Sequence, residues 1–360
     1  MGSHIFEPQT VIRSLRGQTL HVPDLRDIFK DWPVQANAHQ TNIIPIVEDA
    51  FDRLIKYPAL REKYREANYA RFVSLYYPYS GWDRIKILAL YIVWLFCWDD
   101  AIDQQGTGDL SDNLIKAKAH RNNTTRVLEE VLGLASDSGC DVKCDHVNAE
   151  LKTIGNELQK AYTLGQRQKF MAQMRCYIGN CDKEQSLRLS GLLPDFEAYK
   201  EIRHGTAAVW TLCALIEFSM GESIPEHIRD MVELQTIWEE TSRSIWISND
   251  ILSLKKEIPV TGGTIESIVN AVPILMIEDN KSPQQAVDAL LADLSISVAA
   301  FEAAAGVLEK AAGDKSRETI LKYCDACRCM VTGSIQFSFE STRYSLAGCI
   351  NEDGSLTIPL

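Results

Sequence analysis

Ile87-Leu88-Ala89-Leu90-Tyr91-Ile92-Val93-Trp94-Leu95-Phe96-Cys97-Trp98-Asp99-Asp100-Ala101-Ile102-Asp103 is the stretch on which the fold turns. The apolar run from Ile87 to Trp98 is too short to cross a bilayer and ends in two aspartates, so no membrane span is implied. Leu88, Tyr91, Ile92, Leu95 and Phe96 recur at steps of three and four, which is the period of a helix.

The same period fills almost every long segment on either side, and alternating runs that would point to strands are scarce. The predicted fold class is therefore all-α. Helices are expected over Ile43–Lys56, Leu60–Leu75, Asp83–Gln104, Asp112–Leu134 and Val147–Ile178. Further ones are expected over Asp195–Met220, Pro225–Glu257, Ile265–Glu278, Pro283–Ala312 and Ser316–Tyr344. Ser282 before Pro283, and Asp195 after Pro194, read as N-caps, while Gly221 and Gly313 stand where helices are expected to end. No repeat or low-complexity linker divides the chain. The organisation read from this is one helical domain over 41–344, a mostly irregular segment over 1–40 and a tail over 345–360.

Asp99 and Asp103 are four residues apart, so on a helix they project together about 6 Å apart along the axis, whereas Asp100 is rotated away. Two facing carboxylates at a helix C-terminus repel each other and the helix dipole. A hard divalent cation such as Mg²⁺ relieves that repulsion and completes its shell with water and phosphate oxygens. Farther along, Asn249, Ser253 and Glu257 also step by four and form one stripe roughly 12 Å long. An amide oxygen, a hydroxyl and a carboxylate in register make an oxygen-ligand set for a second such ion. A third group is basic: Arg203, Lys256 and the pair Arg343-Tyr344. An Arg fork matches phosphate oxygens and a Tyr hydroxyl adds a directional donor.

Taken in this order, Asp99-Asp100-x-x-Asp103, Arg203, the Asn249/Ser253/Glu257 triad running through Lys256-Glu257, and Arg343-Tyr344 resemble the class I terpene synthases of microbial type. The resemblance runs from about Pro33 to Tyr344 and is closest in style to the sesquiterpene cyclases of filamentous fungi. It implies a helical bundle around a central active-site cavity and three Mg²⁺ ions. Asp99 would bind two of them, with Asp103 helping directly or through water, and Asn249, Ser253 and Glu257 would hold the third. Arg203 would sense the diphosphate, and Lys256, Arg343 and Tyr344 would hold its oxygens. A helix break just after Arg203, with Thr206 and Ala207 as candidates, would turn a carbonyl into the cavity. Phe337 stands where the family often has Trp.

The implied reaction is Mg²⁺-dependent ionisation of an isoprenoid diphosphate, with farnesyl diphosphate favoured, followed by cyclisation to a sesquiterpene hydrocarbon or alcohol. Phe96 and Phe337 are the rings expected to face positive carbon, while Trp94, Trp98 and Trp210 read as plain core. The alternatives are a chain-elongating trans-prenyltransferase, which would resemble this chain except for a second aspartate-rich motif, and a diterpene cyclase using geranylgeranyl diphosphate. A net charge of -12 argues against a nucleic-acid partner. The ten cysteines, including Cys324, Cys327 and Cys329, read as reduced core thiols of a cytoplasmic protein. Homodimers are common among soluble enzymes, and the composition allows one here.

Overall fold

The computed structural model describes residues 13–103, 110–135, 145–258 and 269–360. A short strand, β1 (Thr19–Val22), is followed by α1 (Leu25–Ile28), α2 (Gln40–Leu54), α3 (Pro58–Ala67), α4 (Tyr69–Tyr76) and α5 (Trp82–Asp103). The middle of the chain forms α6 (Leu114–Val131), α7 (Glu150–Ala161), α8 (Leu164–Ser190), α9 (Phe196–Thr206), α10 (Val209–Cys213) and α11 (Ile216–Met220). The remainder forms α12 (Glu226–Arg229), α13 (Val232–Glu257), α14 (Ala271–Glu278), α15 (Pro283–Glu340), a 3-10 turn (Thr342–Tyr344) and β2 (Leu356–Pro359). The fold is all-α, as the period predicts.

The decisive stretch lies at the centre. Tyr91, Ile92, Val93, Trp94 and Trp98 of α5 are fully buried, as expected of a helix that is apolar around its whole circumference. Each such large side chain contributes about 2 to 3 kcal/mol of burial energy. The buried tips still find polar partners: Tyr91 donates to Thr211 Oγ1 at 2.7 Å and Trp98 Nε1 to Thr124 Oγ1 at 2.9 Å. On another side of the bundle α13 packs along α15, where Trp238 Nε1 donates to the Tyr323 hydroxyl at 2.7 Å.

Several expected helices are subdivided, each for a local reason. Leu60–Leu75 is cut by Asn68, whose backbone is left-handed (φ 59°) and whose side chain caps the Arg71 amide. Val147–Ile178 is cut at Thr163, which forms a reciprocal capping box with Gln166. Asp195–Met220 is three helices, α9 to α11, and Pro225–Glu257 is two, α12 and α13. The two helices expected after Ser282 meet at a kink at Gly313 (φ 61°, ψ 175°). Asn270 starts α14 as its N-cap, and the earlier part of the expected Ile265–Glu278 helix, 265–268, lies outside the described residues.

The ends differ from expectation as well. Thr19–Val22 pairs antiparallel with Leu356–Pro359, with Leu20 opposite Ile358 and Val22 opposite Leu356. The supposed irregular segment and tail therefore clasp one another. Alternating burial of Leu20 and Val22 on one strand, and of Leu356 and Ile358 on the other, seats the pair on the bundle.

Candidate active site

The end of α5 separates its two leading carboxylates. Asp99 is half-buried and accepts a hydrogen bond from the Tyr177 hydroxyl of α8 at 2.7 Å. Asp100 is rotated away from it, as predicted, but into a buried pocket rather than solvent, where the Tyr64 hydroxyl donates to it. Its other oxygen faces Arg343 Nη2 at 3.5 Å, and Arg343 Nη1 donates to the Tyr69 hydroxyl at 3.1 Å. Asp103 closes α5, and its side chain lies outside the described residues.

The stripe on α13 is assembled as the spacing predicts and is already engaged. Arg203 Nη2 donates to Asn249 Oδ1 at 2.8 Å, and Asn249 Nδ2 donates to the Tyr344 hydroxyl at 2.9 Å. Ser253 Oγ donates to Glu257 Oε1. Arg203 Nε also donates to Asp250 Oδ1 at 3.0 Å, and Asp250 in turn accepts from the Tyr199 hydroxyl and the Ala271 amide. The exposed Lys256 places Nζ 5.1 Å from the Tyr344 ring centroid. Arg203, Asn249 and Tyr344 are thus in one hydrogen-bonded chain, with Asp100 and Arg343 in a second.

The helix break expected beside Arg203 is present. Thr206 ends α9, Ala207 caps it, and Ala208 takes a left-handed conformation (φ 58°, ψ 2°) before α10 starts. That conformation costs an alanine roughly 1 to 2 kcal/mol. Among the described residues no backbone amide bonds to the Ala207 carbonyl.

Aromatic rings form a continuous group next to this end of the bundle. Phe96 is half-buried, with the Arg343 guanidinium 5.3 Å from its centroid and Tyr69 at 4.6 Å. Phe337 is only 1% exposed and packs edge-on against Phe72 at 5.1 Å, so it stands in the wall behind Phe96, whereas Phe96 carries the Arg343 guanidinium over its ring. Trp94 and Trp98 are core, as expected. Trp210 is not fully so: it remains half-buried just past the break.

Burial holds the acids at this end of the bundle above the usual carboxylate range. Burial pushes the Asp99 carboxyl up to about 6, against the Tyr177 hydrogen bond, with Asp100 adding repulsion. Burial pushes Glu184, on α8, up to about 7, against Arg203 and with the help of Asp99. A group of acids that resists ionisation is relieved by a cation. Among the described residues no three His, Cys, Asp or Glu side chains converge on one point. The candidate donors are an amide, a hydroxyl and single carboxylates, all oxygen, which suits a hard ion that keeps coordination positions for water and phosphate. The residues therefore fit Mg²⁺-type binding. The sulfur-rich alternative does not: Cys324, Cys327 and Cys329 are buried free thiols, and burial pushes Cys329 up to about 12.

Sequence reading missed Tyr64, Tyr69, Tyr177, Glu184, Asp250 and Asn270, which surround the motif residues. Asp250 carries a signal of its own, being an acid next to Asn249 on an apolar helix; the others belong to no spacing pattern.

Comparison with known proteins bears on the same residues. The family model described as terpene synthase family 2, C-terminal metal binding, matches residues 90–298. The chain is 29% identical over 362 residues to a sesquiterpene cyclase, hepA, of Aspergillus oryzae, covering 97% of this chain and 96% of the relative. It is 24% identical over 367 residues to a terpene cyclase, braA, of Annulohypoxylon truncatum, covering 99% and 94%. Among solved structures an α-eudesmol synthase superposes with a TM-score of 0.73 at 15% identity, covering 86% of this chain and 97% of that one. A hedycaryol synthase gives a TM-score of 0.72 at 16% identity, covering 88% and 98%. With a fold of this kind, and a matched span that runs from α5 through the α13 stripe, the chain belongs to the terpene synthase family, as a metal-binding class I synthase of microbial type.

Proposed function

We propose that this protein is a carbon-oxygen lyase that ionises farnesyl diphosphate and cyclises the cation to a sesquiterpene hydrocarbon or alcohol, releasing diphosphate. The observation that carries this reading is the Asn249 amide, bonded on one side to Arg203 and on the other to Tyr344. It brings a candidate metal ligand against two candidate phosphate binders. The sesquiterpene cyclase relative from Aspergillus oryzae, aligned over nearly the whole of both chains, supports the choice of substrate.

In this reading Asp99, Asp103, Asn249, Ser253 and Glu257 would hold three Mg²⁺ ions, which would supply positive charge against the departing diphosphate. Arg203, Lys256, Arg343 and the Tyr344 hydroxyl donate hydrogen bonds to diphosphate oxygens, stabilising charge that develops as the carbon-oxygen bond breaks. Asp100 and Tyr69 hold Arg343 in place for that task. The Phe96 ring and the carbonyls at Thr206 and Ala207 offer negative potential to the cation, and the apolar wall behind Phe96 keeps water out.

The test is incubation of the purified protein with geranyl, farnesyl and geranylgeranyl diphosphates, with and without Mg²⁺, followed by product identification. A cyclic C15 product formed only with metal and farnesyl diphosphate is expected. Turnover without a divalent ion, or release of a longer prenyl diphosphate, would overturn the proposal.

A further inference from the structure

Asn270 belongs to none of the motifs, yet it is joined to the α13 stripe at two points. It is 1% exposed, and its Nδ2 donates to Glu257 Oε2 at 2.9 Å and to the Asp250 carbonyl at 2.9 Å. Those two acceptors lie seven residues apart on α13, so one amide group spans two helical turns of the stripe. Its Oδ1 accepts from the Val272 amide at 2.9 Å and so caps α14. The orientation is fixed chemically. Reversing the amide would set its oxygen against a carboxylate and a carbonyl, and its NH₂ against an amide N–H.

The next residue extends the attachment. The Ala271 amide donates to Asp250 Oδ2 at 3.1 Å, and the other Asp250 oxygen holds Arg203, which holds Asn249 Oδ1. The start of α14 therefore grips both ends of the triad: Glu257 directly, and Asn249 through Asp250 and Arg203. With Oε2 committed to Asn270, Glu257 has Oε1 to offer, and the Ser253 hydroxyl already lies against that atom. A carboxylate fixed in this way presents one defined oxygen to a ligand, whereas a free one rotates between several.

We infer that Asn270 is a positioning residue that orients Glu257 for divalent-metal binding at the Asn249/Ser253/Glu257 stripe. The inference rests on the metal role of that stripe proposed above.

Two variants separate positioning from folding. Asn270→Ser and Asn270→Gly both leave an N-cap residue that α14 tolerates, and neither reaches Glu257. The measurement is binding of Mn²⁺ in the presence of inorganic diphosphate, read from the paramagnetic resonance signal of free manganese. Loss of an outer-shell partner of this kind weakens metal binding by about tenfold or more, and that shift is expected in both variants, which should still melt cooperatively without metal, at a lower temperature than the unsubstituted protein because two acceptors lose a buried donor. In a Glu257→Gln background the same substitutions should add no more than about twofold, because the partner they act through is already altered. Manganese affinity within twofold of the parent protein in a folded Asn270 variant would overturn the inference, as would an equal tenfold loss on top of Glu257→Gln. If Glu257→Gln alone leaves manganese binding unchanged, the metal assignment of the stripe fails first and takes the inference with it.

Discussion

Replacing Asp100 by Asn removes one negative charge and the oxygen that faces Arg343, while the amide keeps an oxygen for the Tyr64 hydroxyl. The charge faces Arg343 at 3.5 Å, with side chains 6% and 19% exposed respectively. At an effective dielectric constant near 20 the attraction is about 5 kcal/mol, an upper bound on what can be lost. Tyr69 remains as a partner for Arg343, so the expected destabilisation of Asp100→Asn is about 3 kcal/mol, in the range for breaking a buried pair from one side. Arg343→Gln strands the opposite charge and should cost about as much. The double variant strands neither and should cost no more than either single change, so a cycle measured by urea unfolding of the metal-free proteins should give a coupling of about 3 kcal/mol between the two sites. A coupling below about 0.5 kcal/mol would mean that the pair does not hold Arg343, and that the role given to Asp100 is mistaken.

A Cβ at Gly205 would lie 2.2 Å from Asn180 Nδ2 and 2.6 Å from its Cβ, whereas one at Gly155 would lie 2.4 Å from the Val131 carbonyl. Both Gly→Ala variants should lose about 1 to 3 kcal/mol in unfolding experiments, but only Gly205→Ala, two residues from Arg203, should lower turnover per folded molecule. Burial, with Arg243 and Lys200 nearby, pushes His204 from an ordinary 6.5 down to about 4. The unfolded chain therefore takes up the proton first. The associated stability is complete above pH 6.5 and is lost as pH falls toward 4, by about 2 kcal/mol between pH 7 and pH 5. His204→Gln should flatten that part of the stability profile, and an unchanged slope would place the acid sensitivity elsewhere. Arg203→Lys keeps the charge but cannot reach Asn249 and Asp250 together, so turnover should fall at least tenfold in steady-state assays at saturating metal; near-normal turnover would remove Arg203 from the diphosphate site.

The helical class, the burial of α5 and the spacing of Asp99 with Asp103 and of Asn249, Ser253 and Glu257 are legible because each rests on a period of three to four residues, and that period is local; Arg203, Lys256, Arg343 and Tyr344 follow no such period and stand out only through the family resemblance. The breaks were less so. Asn68 and Ala208 adopt left-handed backbone inside otherwise helical patterns, and nothing in the neighbouring residues marks Ala208. Thr163 did carry a signal, since Thr-x-x-Gln is the spacing of a capping box. The β1–β2 pair was hidden for a different reason: its partners are more than 300 residues apart, and four-residue strands are too short to show alternation. At the site, a motif names the residues that would touch a ligand but not what holds them. Tyr64, Tyr69, Tyr177 and Asn270 come from other helices, and their register with Asp99, Arg343 and Glu257 is set only when the bundle closes.

The clasp between the two ends of the chain has a kinetic meaning. Gly17 N donates to the Leu360 carbonyl and Leu360 N to the Gln18 carbonyl, each at 3.0 Å, and Arg343-Tyr344 lies a short way before β2. During synthesis β2 can pair with β1 only after the segment that carries Arg343-Tyr344 has emerged, because it follows that segment in the chain. Until then the segment after Tyr344 is unlatched. Closing so long a loop costs only a few kcal/mol beyond a short one, so the latch forms readily once β2 is free.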